Sequence, residues 1–428
     1  MGRLMSGNHN SSDTMNKIIL QNITVDGSLV QYRFSVSEDL KKYFTADVMF
    51  LRYEQSMTDV PISILSIPFV NCMAGFSWLT GAMLFVDEID ETYYYALKQL
   101  KVAYSELHQT NMQGTFVPSV IKRNEIRKSS DCLLLFGGGV DCHSSYLRNR
   151  ERVSGIVNIY GWSRGEEQRT AVDISDQKMT EEFAHRFDIE SYHVTSNFAS
   201  QFNLSEIDKE LTSSTVGTTY WYGFLHPMAF LSISAPIAWI RGCSTLMIAS
   251  SFTKDRADVH CGSFITTDSE FRFATNGITI HDGFELNRQD KVAILVNYQR
   301  ESKKPYAIQA CSFNDHNCCN CEKCFRTVVE LVAENADPKD FGFNIEGPVV
   351  DHWKTIVHRD VALWAATKED YYYYYYARKR MRENYDNIQD REFVDWFLNF
   401  DFDKERKKGL WRYYRKNFFS ILKRKMKL

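Results

Sequence analysis

The chain has 428 residues and a mass of 49.9 kDa, too long for one average domain and sufficient for two or three. Its 44% hydrophobic and 25% charged residues suit a globular chain that buries a core and exclude a disordered or fibrous one. The net charge of −3 splits into a local +9 over residues 405–428 and −12 elsewhere, which excludes a protein whose whole surface is built for nucleic acid.

The polar stretch Met1 to Asn16 lacks the apolar core of a secretion signal. No run is expected to span a membrane: the richest, Phe224 to Ile240, is broken by His226 and Pro227. A cytoplasmic protein is the expectation.

Residues 1–128 read as a small α+β domain. Ile18 to Val25, the turn pair Asp26-Gly27 and Leu29 to Phe34 form a hairpin signal. Val48 to Leu51 and Ile62 to Phe69 look like short strands, and Glu91 to Leu107 like a helix. No chemistry is evident in this part. From about 129 to 335 the pattern becomes strand–loop–helix. Cys132 to Phe136, Ile156 to Tyr160, Ser191 to Thr195 and Thr245 to Ala249 are apolar runs of the kind buried parallel strands use. Helices are predicted from Ser144, over Asp176 to Phe187 and over Tyr222 to Arg241. The fold class expected is α/β, a parallel sheet with helices on both faces, whose ligands sit at the carboxyl ends of the strands. Residues 336–428 read as a helical region with a basic tail. The six tyrosines Tyr371 to Tyr376 would cover every face of a helix, leaving some exposed or in a contact.

Gly137-Gly138-Gly139-Val140-Asp141-Cys142 follows the first of these strands and enters a helix. Three glycines let successive N–H groups converge on an anion, and the helix start adds positive potential. The hydroxyls of Ser144 and Ser145 are candidate donors to phosphate. Asp141 suits Mg²⁺ bridged to a phosphate. A plain strand-to-helix turn is the alternative reading. Neither the GxxxxGK[ST] loop nor the GxGxxG fingerprint is present.

Five of the ten cysteines fall within fourteen residues, Cys311, Cys318, Cys319, Cys321 and Cys324. Cys318-x-x-Cys321-x-x-Cys324 with Cys311 upstream supplies four thiolates for a structural Zn²⁺, with Cys319 as a bystander. An iron–sulfur cluster is the alternative that this spacing leaves open.

Together the glycine loop with its Asp and the cysteine knuckle followed by Arg326 resemble the PP-loop (N-type ATP pyrophosphatase) proteins, in their 7-cyano-7-deazaguanine synthase-like branch. The stretches His316 to Thr327 and Ile280 to Arg288 look like members with an extra N-terminal domain. The resemblance covers about residues 130 to 335. The family's loop reads Ser-Gly-Gly-x-Asp-Ser, so Gly137 and Cys142 replace two hydroxyl donors. The resemblance implies a nucleotide-hydrolase-type (HUP) sheet that binds ATP with its pyrophosphate in the loop. It implies adenylation of a carboxylate or amide oxygen, attack by a nitrogen nucleophile, and release of AMP and pyrophosphate. Asp141, Lys254 and Arg288 are then the catalytic candidates. Gly137 to Cys142, Ser144, Ser145, Tyr160, Gly161, Ser250 and Ser251 are the nucleotide-binding candidates, and His281, Asp282 and Glu285 belong on the substrate side. The acceptor is a small molecule or modified base. A nucleotide-binding regulator without turnover is the alternative, and base modification and phage defence are among the contexts left open.

Leu410, Trp411, Tyr414, Phe418, Ile421 and Leu422 recur at helical spacing among Arg412, Arg415, Lys416, Lys423, Arg424 and Lys425. Such a helix packs on its own acidic body, lies on anionic lipid, or meets nucleic acid or an acidic protein partner; the first is the favoured reading. A homodimer is also left open.

Overall fold

The computed structural model describes residues 15–415 except 128, 163–169, 214–215, 257–260, 312–313, 365–368, 406, 409–410 and 413. Ten strands are β1 (Lys17–Asp26), β2 (Leu29–Val36), β3 (Val48–Arg52), β4 (Met83–Asp90), β5 (Thr115–Lys122), β6 (Cys132–Leu135), β7 (Val153–Tyr160), β8 (Glu190–Ser196), β9 (Thr245–Ala249) and β10 (Ile278–Asp282). They form one mostly parallel sheet in the order β10-β9-β6-β7-β8-β3-β2-β1-β4-β5. The Asp26-Gly27 turn closes the β1–β2 hairpin, with Gly27 in the left-handed region at φ 56°.

The half from β10 to β8 is wholly parallel and doubly wound. Its strand order reverses between β6 and β9, and in such sheets the crevice at that reversal receives the ligand. The N-terminal strands extend the same sheet, because β3 pairs antiparallel with β8 through Leu51 with Ser196 and Arg52 with Thr195.

Successive side chains on each strand point to opposite faces, and two cores result. Leu133, Val157 and Leu246 pack with α1 (Ile62–Thr80) and α5 (His226–Arg241), together with α2 (Glu91–His108). Leu134, Ile156 and Met247 pack on the other face with α3 (Val140–Asn149), α4 (Ala171–Phe187), α6 (Arg288–Ser302) and α7 (Glu322–Ala333). The C-terminal helices α8 (Val349–Trp364), α9 (Glu369–Glu383) and α10 (Arg391–Leu398) join this second core through Trp353, Tyr374 and Phe397.

The expectation of a strand over Ile62 to Phe69 is overturned: these residues open the 19-residue helix α1. A helix buried on all sides has no apolar stripe, so its length, and not its periodicity, distinguishes it from a strand. Gly81 at φ 73° ends it. The same misreading hid an apolar run. Ile62–Thr80 and Trp221–Arg241 are both long and apolar enough to cross a bilayer, yet 89% and 78% of their most apolar windows are buried inside the protein. Strand β10 is an element the sequence reading did not assign, and α3 begins at Val140 rather than Ser144. Of the basic tail helix, Leu410, Lys416, Phe418, Ile421, Leu422, Lys423, Arg424 and Lys425 lie outside the described residues. Trp411 and Tyr414 are 63% and 57% exposed.

Phe69 sits at the centre of the first core, fully buried and 6.0 Å from the Tyr32 ring and 5.6 Å from Phe34. Phe69→Ala is expected to cost about 3–5 kcal/mol in urea unfolding through the cavity it leaves. A loss below about 1 kcal/mol contradicts this packing.

Candidate anion loop and cysteine knuckle

The glycine loop leaves β6 on the strand-order reversal, and the segment after β9 flanks it there. Gly138 has φ 73°, in the left-handed region that favours glycine, and a Cβ on it would also displace the end of the Met179 side chain and crowd Gln309 Cβ at 3.2 Å. At Gly137 and Gly139 an added Cβ would meet nothing within 4 Å, so the loop is open on that side. The Cys142 thiol donates to the Gly139 carbonyl at 3.1 Å, and the backbone amides of Gly137, Gly138 and Gly139 all favour negative charge on its sulfur. Successive glycine amides that favour negative charge at a helix start are the elements of which an anion nest is made. Burial pushes the Cys142 thiol up to about 12, so it stands there as a neutral group.

Asp141, the second residue of α3, is the centre of an ionic cluster. Its carboxylate meets Lys291 at 3.1 Å and Arg288 at 3.3 Å. Burial alone would raise its pKa; Lys291 and Arg288 more than reverse that and hold it below the usual carboxylate range. Lys291, 3% exposed, also donates to the Ser250 carbonyl, tying α6 to the end of β9. Arg288 reaches Glu330 at 3.1 Å and Thr327 at 3.2 Å on α7. Lys323 and Arg326, on the same helix, add positive potential, and Arg326 pairs with Glu322 at 3.5 Å.

The other candidates are distributed as follows. Val140 is buried in the core and offers only its backbone. Ser144 and Ser145 are 2% exposed within α3, so their hydroxyls do not face the open side of the loop. The Tyr160 hydroxyl bonds His193 Nδ1 at 2.7 Å beneath Gly161, which turns the chain at φ 67°. Ser250 directs its hydroxyl to the Phe252 carbonyl at 2.5 Å, while Ser251 and Lys254 are exposed at the same edge. His281 is buried and pairs with Asp268 at 2.8 Å. Asp282 meets Arg148 at 3.3 Å and Asn149 at 3.1 Å, and Arg148 also holds Glu285. The structure thus gathers Gly137 to Gly139, Asp141, Ser250 and Arg288, and leaves His281 hydrogen-bonded to Asp268 and Asp282 and Glu285 paired with Arg148. Lys291 was missed, although its place three residues after Arg288 puts both on one helix face.

The sulfurs of Cys311, Cys318, Cys321 and Cys324 all lie within 4.8 Å of one another, with Cys318–Cys324 at 3.9 Å and Cys321–Cys324 at 3.5 Å. Tetrahedral zinc with bonds of about 2.3 Å needs sulfurs about 3.8 Å apart, so the four fit it. Cys321 caps α7, which puts Cys324 one turn further on. Cys319 takes the left-handed turn at φ 51° and points its sulfur to the Asn317 carbonyl, outside the set. The Asn317 side chain accepts from the N–H of Ala310 and Cys311 and donates to Ile308 and Gly342, fixing the knuckle's base.

The knuckle is joined to the glycine loop. The Gln309 N–H donates to the Gly138 carbonyl at 2.8 Å, and its side chain donates to the carbonyls of Cys311 and Asn314. His143 bonds Tyr306 at 2.8 Å alongside.

No family model matches the chain, and no curated protein matches it.

Metal analysis of the purified protein is expected to return about one zinc per chain, and Cys318→Ser to lower that content and the melting temperature together. A brown, iron-containing protein contradicts the zinc reading.

Glu330 gives a pH prediction. Burial pushes its carboxyl up to about 7, against the pull of Arg288 and Arg326. The folded chain therefore keeps a proton that the unfolded chain loses near 4.5, and stability falls as pH rises from 4.5 to about 7. Glu330→Gln should gain stability over the wild type across that window in denaturant titrations; parallel profiles contradict it.

Proposed function

We propose that the chain is an ATP-dependent adenylating enzyme of the PP-loop kind, a ligase or synthase acting on a small-molecule or modified-base acceptor. The observation that carries this is the glycine loop of Gly137 to Gly139 at the strand-order reversal, open where a Cβ on Gly137 or Gly139 would stand, with Lys291 and Arg288 paired to Asp141 beside it. The one thiol in that arrangement, Cys142, is held neutral by burial and is no nucleophile; the loop and its neighbours supply donors and positive charge, which is what phosphoryl chemistry asks of a protein.

In this reading the triphosphate of ATP enters the open side of the loop. An acceptor carboxylate or amide oxygen attacks the α-phosphorus, the bond to the β-phosphate oxygen breaks, and pyrophosphate leaves with the electron pair. The loop amides, Lys291 and Arg288 hold the charge that develops on it. A nitrogen nucleophile then attacks the activated carbon and AMP departs. Mg²⁺, when bound, supplies further charge neutralisation at the phosphates. Asp141 is its natural holder, and would exchange a contact to Lys291 or Arg288 for the ion. Either cation then becomes available to a phosphate oxygen without leaving the site.

The second reading, a nucleotide-binding regulator with weak or no turnover, is favoured by one feature. Cys142 places a buried, neutral sulfur against the Gly139 carbonyl at the start of the helix. A thiol is a weaker donor than a hydroxyl, so the leaving pyrophosphate has less support.

Calorimetry with ATP and Mg²⁺ tests both. Wild type is expected to bind, and Lys291→Ala to bind about tenfold or more weakly, as loss of one charge-assisted hydrogen bond implies. Asp141→Ala should lose the dependence on Mg²⁺. Absence of wild-type binding contradicts both readings. Binding without release of AMP and pyrophosphate, across a panel of carboxylate acceptors and amines, selects the second.

A further inference from the structure

The run of tyrosines on α9 is divided by the helix into two faces with different roles. Tyr374, Ala377 and Met381, at i, i+3 and i+7, are buried in the second core. Tyr374 stacks on Phe402 at 4.8 Å and lies 5.7 Å from both Phe325 and Phe397. That stripe fixes the helix. Tyr372, Tyr373 and Tyr376 lie on another side, and each meets an element that borders the glycine loop. The Tyr376 hydroxyl donates to Asp255 at 2.7 Å, and the Arg256 guanidinium lies 5.2 Å over the Tyr372 ring, both just after β9. The Tyr373 ring lies under two guanidinium groups, 4.1 Å from Arg326 and 5.9 Å from Arg288.

A guanidinium stacks on a ring through its face and keeps its N–H donors in the plane of the group. Arg326 uses one edge for Glu322, and its Nε is buried with no hydrogen-bond partner. A buried donor in that state costs free energy unless a partner arrives. Burial also works against the charge of Arg326, and the carboxylate of Glu322 offsets it. The group is thus kept cationic, flat against Tyr373, beside the cluster around Asp141.

Resting on the adenylating or nucleotide-binding reading above, we infer that Tyr373 is a positioning residue that holds Arg326 edge-on to the terminal phosphates of a bound di- or triphosphate. The C-terminal region is then a wall of the anion site, not an appendage to it. A polyphosphate is the chemistry this wall fits. Its donors are guanidinium edges, its flank carries Arg288, Lys291 and Lys323, and the phenol of Tyr376 is already spent on Asp255.

The test uses the full-length, zinc-loaded protein, with inorganic pyrophosphate and ATP, each with Mg²⁺, as probes. Tyr373→Leu is expected to weaken both about fivefold to tenfold, the range of a partly desolvated cation–π contact. Tyr373→Phe keeps the ring face and restores the affinity. Arg326→Lys weakens binding to a similar degree, and adding it to Tyr373→Leu produces no further loss, because the two act as one unit. Tyr374→Leu, on the anchoring stripe, lowers the melting temperature and serves as the control for loss of packing alone. Wild-type affinity in Tyr373→Leu, or losses that add in full in the double variant, overturns this inference and leaves the reading of the loop standing if Lys291→Ala has lost binding. Weakening in Tyr373→Leu matched by Tyr374→Leu overturns it as well, by assigning the effect to folding. Wild-type protein that binds neither probe overturns both.

Discussion

One carboxylate, that of Asp141, holds the carboxyl edge of the sheet together. It sits at the start of α3, where the chain has just turned out of β6, and two cations from α6 converge on it. Lys291 continues to the end of β9 and Arg288 to Glu330 and Thr327 on α7. Four elements from distant parts of the chain therefore share one ionic cluster. Lys291 is 3% exposed and Arg288 11%, so most of their hydration has been given up. Such charges are tolerable only while paired, and removing one partner from a buried pair costs about 3–5 kcal/mol. In the function proposed for the chain, the same constraint serves an anion: the positive charge of Lys291 and Arg288 lies beside the loop, balanced by a carboxylate that a divalent cation would take over.

The cysteine knuckle extends this arrangement. Cys321 and Cys324 begin α7, the helix that carries Arg326 and Glu330, and the Gln309 link runs from Cys311 to the carbonyl of Gly138. A metal held by the four thiolates would fix both the glycine turn from outside and the origin of α7. The knuckle is far from the open side of the loop in role, since all four positions of a tetrahedral zinc are taken by sulfur, yet it sets where two of the site's charged helices and turns begin.

The sequence made the parallel half of the fold legible because β6, β7, β8 and β9 are short apolar runs bounded by glycine or polar turns. The Asp26-Gly27 hairpin was equally clear. Helix α1 was not, since 16 of its 19 residues are buried and its apolar positions have no single face; its first eight residues alternate enough to pass for a strand. Strand β10 was hidden because its buried residues are the polar Thr279 and His281 while Ile278 is exposed, and because it ends in His281 and Asp282, which read as chemistry instead. At the site, the glycines, Asp141 and the cysteines were visible from local spacing, and Arg288 entered only through the family resemblance. Lys291, Glu330 and Tyr373 were not singled out, because their roles depend on which helices meet: α6 on α3, α7 on α6, and α9 on both. Local pattern gives a helix its faces; only the packing decides which face meets a charge.

The most direct test is a structure determined with ATP and Mg²⁺ present. The account predicts phosphate oxygens within hydrogen-bonding distance of the N–H groups of Gly137 to Gly139, with Lys291 or Arg288 turned from Asp141 toward the triphosphate. A nucleotide bound elsewhere, or a loop without ligand and the Asp141 cluster unchanged at saturating ATP, would contradict it.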